Sequence, residues 1–252
     1  MARRPNSGQC VHCGERFDKL TWDHVFPQSW YPDSTPRDIE KWKVPACNPC
    51  NKAYGRLEED LRTRFGLCVE PEPPASSGIK EKVLRSLNPG GGRTFEDKNA
   101  RSVRLQKIRR DIIPDQLLLP EAIYPGFGPR SDIPMSQQSA LRISREDVNR
   151  LAEKFVRGLW WLIYKECIQT PYQIESYVLP ANRATQVMDL LSKFGKRYGF
   201  GPGCTIEMAL AREVDSHAAI FRIEIWGRLV IYASLTDPAH SPLKPHDRYK
   251  AT

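Results

Sequence analysis

A chain of 252 residues, 40% of them hydrophobic, is long enough to bury a real core as one large domain or two modest ones. Its formal charge of +8 favours polyanionic partners through Coulomb attraction and counterion release. No apolar run reaches the roughly 20 residues needed to cross a bilayer, and the basic start Met1-Ala2-Arg3-Arg4-Pro5 leads into no apolar stretch of a secretion signal, so a cytoplasmic protein with no membrane partner is expected.

Residues 1–66 hold two C-x-x-C pairs, Cys10/Cys13 and Cys47/Cys50, and a helical run from Asn51 to Phe65. Residues 67–142 read as a loop-rich linker, broken by Glu70-Pro71-Glu72-Pro73-Pro74 and by Asn88-Pro89-Gly90-Gly91-Gly92. Between these breaks Ile79, Val83, Leu84 and Leu87 suit one short helix. A basic helix follows over residues 98–110, where Arg101, Arg104 and Lys107 recur at helical spacing. That spacing fits a solvated face and a phosphate-tracking surface alike.

Residues 143–236 read as an α+β domain. Ser144 is placed to cap a helix whose stripe is Val148, Leu151, Phe155, Leu159, Leu162 and Ile163, widened by Trp160 and Trp161. Alternation at Ile206-Met208-Leu210, Phe221-Ile223-Ile225 and Leu229-Ile231-Ala233 predicts an antiparallel meander, with turns at Asp215-Ser216 and Gly227-Arg228. Residues 237–252 form a polar tail. Cys68, Cys167 and Cys204 read as small buried hydrophobes, and His217, His240 and His246 as surface histidines.

The two knuckles carry the first chemistry. A C-x-x-C turn puts two sulfurs on one side of a tight loop, and two such turns complete a tetrahedral thiolate shell suited to structural Zn²⁺. Four thiolates suffice, so His12 reads as a bystander. The segment between the knuckles is longer than a simple ribbon needs. It holds Thr21-Trp22-Asp23-His24-Val25-Phe26-Pro27, and the second knuckle runs straight into Asn51-Lys52.

The order C-x-x-C, D-H-V-x-P, A-C-x-x-C-N-K resembles the zinc-containing HNH endonucleases, in particular a bacterial subgroup, over about the first quarter of the chain. The segment Glu153-Lys154-Phe155-Val156-Arg157-Gly158-Leu159 resembles that subgroup as well. The resemblance implies an N-terminal ββα-metal module: one strand carrying Asp23-His24, a second near Lys43 to Ala46, and a helix from about Asn51. It implies that the chain is an endonuclease hydrolysing DNA phosphodiesters, with His24 as general base. It also implies Asp23 and Asn51 as ligands of a catalytic Mg²⁺ or Mn²⁺, with Asp23 reaching the ion because the strand is distorted there. Lys52 and Arg56 would hold phosphate beside the helix N-terminus. The middle asparagine of the family pattern is missing, since Glu40-Lys41-Trp42-Lys43-Val44 stands in its place. That departure keeps two alternatives open: a binding module that grips DNA without cutting, and a defence or toxin nuclease unleashed by a partner. RNA as substrate, and a protein partner or homodimer through the C-terminal domain, are further expectations left open.

Overall fold

The computed structural model describes residues 7–114, 123–125, 127, 134–210 and 219–237. The expected turn at Asp215-Ser216, the three histidines His217, His240 and His246, and the tail beyond Asp237 lie outside them.

The chain opens with a small hairpin, β1 (Gly8–Gln9) and β2 (Arg16–Phe17), whose turn holds the first Cys pair. Gly14 makes that turn with a φ of 76°, a left-handed conformation glycine adopts without a Cβ penalty. Two further strands pair antiparallel, β3 (Thr21–His24) with β4 (Lys43–Ala46). Helix α1 (Asn48–Cys68) follows directly. Cys47 is its N-cap, Pro49 occupies the first turn where a missing N–H costs nothing, and the buried stripe is Tyr54, Leu57, Leu61 and Phe65. The expected helix from Asn51 to Phe65 is thus present and longer at both ends, running from Asn48 to Cys68.

Two more helices follow: α2 (Ile79–Leu87) packs on α1, and α3 (Phe95–Arg110) packs on α2, capped by the Thr94 hydroxyl, which accepts from the Asp97 amide at 3.1 Å. The region expected to be irregular contains a short ribbon, β5 (Ile112–Pro114) with β6 (Ser139–Leu141). Ser144 caps α4 (Arg145–Tyr164) as expected, accepting from the Asp147 amide at 3.3 Å. The remainder is β7 (Gln173–Tyr177), α5 (Ala181–Phe194), β8 (Lys196–Gly199), β9 (Cys204–Leu210), β10 (Ala219–Ile225) and β11 (Leu229–Thr236). The five strands form one antiparallel sheet in the order β7-β11-β10-β9-β8. The meander β9-β10-β11 is antiparallel as the alternation predicts, and its register sets Phe221 opposite Met208 and Ala233, all facing inward. The protein is therefore α+β.

One apolar core joins the described N-terminal segment to α4 and the five-stranded sheet. Val25, Phe26, Trp30 and Val44 from the N-terminal segment pack with Leu151, Phe155 and Leu159 of α4 and with Ile206, Phe221 and Ile231 of the sheet. Phe26 meets Phe155 at 6.3 Å between centroids, and the Trp226 indole donates to the Trp30 carbonyl at 2.9 Å. Helix α4 is the central member, because it touches the sheet on one side and β4 and α1 on the other.

Truncating Phe155→Ala therefore removes a fully buried ring at the junction. The expected cost is about 3–5 kcal/mol of unfolding free energy in urea. Because the core is shared, tryptophan fluorescence and far-ultraviolet dichroism should report one coincident transition.

Candidate functional site

The first feature is the sulfur cage. The Sγ atoms of Cys10, Cys13, Cys47 and Cys50 all lie within 4.8 Å of one another, and no disulfide joins them. A tetrahedral zinc with bonds of about 2.3 Å separates its sulfurs by about 3.8 Å. The 4.0 Å between Cys13 and Cys47 matches that spacing. Backbone amides already point at the sulfurs: Cys47 N–H donates to Cys10 Sγ at 3.2 Å, and Cys50 N–H to Cys47 Sγ at 3.5 Å. Burial opposes ionisation of Cys10, but the amides of Cys13, Cys47 and His12 outweigh it and lower its pKa. Burial and the neighbouring sulfur of Cys47 push the Cys50 thiol far up. Sulfurs crowded this way suit a divalent cation that relieves their repulsion, and the donor set fits structural zinc. Among the described residues no other group of three or more such ligands converges.

The cage fixes β3 against α1. Asn51, one residue beyond the last cysteine, donates its amide to Thr21 Oγ1 at 2.9 Å and to the Trp22 carbonyl at 3.3 Å. On β3 the pairing with β4 is regular: Thr21 opposite Ala46, Trp22 opposite Pro45, Asp23 opposite Val44 and His24 opposite Lys43. Successive side chains therefore take opposite faces, and the adjacent Asp23 and His24 part company.

Asp23 faces inward. Its Oδ2 lies 2.8 Å from His12 Nε2 and its Oδ1 3.2 Å from Lys154 Nζ, and the residue is only 6% exposed. Burial alone would raise its pKa. The His12 hydrogen bond and the Lys154 charge reverse this and hold the carboxyl below the usual range. His12 packs against Tyr54 in a tilted arrangement at 4.5 Å between centroids, and burial keeps it neutral by lowering its pKa against the pull of Asp23. Lys154 also meets the His24 carbonyl at 2.7 Å and Glu58 Oε1. Glu58 is raised by burial, partly offset by Lys154.

His24 faces the other way. It is half-buried, and its ring has no hydrogen-bond partner among the described residues. Burial first, then the charge of Lys43 across the strand, lower its pKa, so the imidazole is neutral at physiological pH. Exposed Lys43 and half-buried Lys41 make its surroundings cationic.

This geometry bears on the two ions differently. Zinc fits. The second, catalytic ion does not fit the residues as they stand: β3 is undistorted, and both Asp23 oxygens are held inside the fold by His12 and Lys154, on the face opposite the His24 ring. Asn51 turns its amide nitrogen to β3, where it acts as a clamp.

The basic residues also divide. Lys52 and Arg56 stand exposed on α1 with no ion-pair partner among the described residues. Those of α3 are engaged. Arg101 binds Asp97 at 2.8 Å and the Arg85 carbonyl at 2.7 Å. Arg104 binds Glu59 and the Ser86 carbonyl, and Lys107 binds Asp60 at 2.8 Å. These three tie α3 to α1 and α2 rather than standing open to phosphate. Sequence reasoning missed Lys154, Glu58 and the role of His12. No local signal could have linked them to Asp23, because they lie on separate elements.

No protein-family model matches the chain, and comparison with curated proteins and with solved structures finds no match. No helix among the described residues is long and apolar enough to cross a membrane.

Metal removal should be felt directly. Cys47→Ser is expected to take the zinc content from one per chain to a small fraction of that, measured by elemental analysis. Tm should fall by about 10 °C or more, at roughly 2–4 °C per kcal/mol for a protein of this size.

Proposed function

We propose that this chain is an endonuclease of the HNH kind, hydrolysing DNA phosphodiesters with His24 as the general base. The observation that carries the reading is the His24 ring. It is neutral at physiological pH, has no internal partner among the described residues, faces away from the core, and sits beside Lys43 on a strand clamped by the sulfur cage. A neutral imidazole accepts a proton from an attacking water, and the lowered pKa keeps the ring in that neutral form at physiological pH. Fixed cations attract the phosphate backbone and stabilise charge building on its oxygens. Lys43, opposite His24 on β4, would do this, with the charge of Lys41 adding to it; exposed Lys52 and Arg56 on α1 would extend the contact along the strand of nucleic acid.

A specific observation favours a second reading, a module that binds nucleic acid without cutting it. Asp23, the carboxylate expected to hold a catalytic ion, is locked into the interior by His12 and Lys154.

A plasmid-nicking assay with Mg²⁺, with Mn²⁺ and with chelator separates the two. The nuclease reading expects cleavage by the parent and a loss of about 100-fold or more in His24→Ala, in line with removal of a general base, with zinc content unchanged. The pH dependence has a definite sign. The base works only unprotonated, and its pKa is lowered, so the rate should be flat above about pH 6.5, the ordinary histidine value, and fall only at more acid pH. Equal nicking by parent and variant rejects the role of His24. Binding without cleavage under every metal condition selects the second reading.

A further inference from the structure

The Lys154 ammonium is fully buried, at the point where α4, β3 and α1 meet. Its three N–H donors find three oxygens: the His24 carbonyl at 2.7 Å, Asp23 Oδ1 at 3.2 Å and Glu58 Oε1. It also lies 5.8 Å from the centroid of the Tyr54 ring. Taking an ammonium out of water is costly, and ion clusters of this sort are poor sources of stability compared with apolar packing of the same volume. What such a cluster supplies is direction, since every donor is aimed at a fixed acceptor. One of those acceptors is the main-chain carbonyl of the residue that bears the proposed base.

A second observation shows the approach is built for it. Gly158, one helical turn after Lys154 on the same face of α4, lies against Val25, the residue after His24. A Cβ there would stand 3.0 Å from both Val25 methyl carbons. The absent side chain lets α4 close on the end of β3, which brings the ammonium within reach of the strand.

We propose that Lys154 is a positioning residue for His24: its ammonium grips the His24 carbonyl and the Asp23 carboxylate, and so sets the direction of the imidazole from beneath the strand. The claim rests on the nuclease reading for its catalytic consequence, but not for its structural one. Asp23 then serves as the anion that orients the lysine. Lys154 thereby braces, from 130 residues away in sequence, the strand that carries His24.

The test uses the full chain. Lys154→Met leaves two buried carboxylates without their cation, so the informative variant is Lys154→Met with Glu58→Gln, which removes one charge of each sign. Gly158→Ala is a milder companion that displaces the ammonium without deleting it. Each is compared with the parent for zinc content, for the imidazole resonances of His24 by NMR, and for kcat and KM on duplex DNA. The double variant should keep one zinc, move the His24 ring resonances, and lose about 100-fold in kcat, the scale of a misplacement of about 1 Å, with KM within about threefold. Gly158→Ala should shift both readouts in the same direction by less. Unmoved His24 resonances in a folded variant overturn the proposal, as does parental kcat. If the parent itself does not cleave, the nuclease reading fails, and the resonances alone decide whether Lys154 positions the ring.

Discussion

Four sulfurs drawn within 4.8 Å of one another are the constraint on which the candidate site depends. The segment from Gly8 to Ala46 offers little regular structure of its own: two strands of two residues and two of four. Strands so short cannot hold a register by pairing alone. The cage couples the first hairpin, through Cys10 and Cys13, to the start of α1, through Cys47 and Cys50. Asn51 then carries that fixed helix end across to β3. Apolar packing completes the arrangement from the other side, where Val25 and Phe26 join the core of α4 and the sheet.

Regular pairing on β3 has a consequence that residue types alone do not reveal. Asp23 and His24 are neighbours in sequence, and an acid beside a histidine invites the idea of a joint site. Alternation separates them. The carboxylate becomes part of an internal ion cluster with His12, Lys154 and Glu58, while the imidazole is left outside among lysines. The charges follow: Asp23 is held ionised by its partners, and His24 is held neutral by burial and Lys43. Both adjacent groups are driven to their deprotonated forms, but the two faces of one strand make one of them a buried, partnered anion and leave the other a neutral ring without an internal hydrogen bond among the described residues.

Much of this was legible in local spacing. The knuckles named the cage, the capping serine named the start of α4, and period-two alternation named the meander with its inward face. The strand pair bearing Asp23-His24 appears where the motif placed it. Other features depend on residues far apart and left no local trace. Arg104 and Lys107 look like a free basic stripe until Glu59 and Asp60 of α1 are seen opposite them. Lys154 reads as one of several charged positions on an amphipathic helix, and only tertiary packing brings it to the His24 carbonyl. The ribbon of β5 and β6 is three residues long on each strand and joins segments about 25 residues apart, too short and too distant for a periodicity to show. Helix α5 lacks a capping side chain, since its N-cap is Pro180, and so opens without the usual signal.

The central claim is that the sulfur cage holds a zinc ion and with it the strand that carries His24. X-ray absorption at the zinc edge of the purified full-length chain tests it most directly. One zinc per chain with four sulfur neighbours at about 2.3 Å is the expected first shell. A shell containing nitrogen or oxygen, or a folded chain that retains no zinc, would contradict the account.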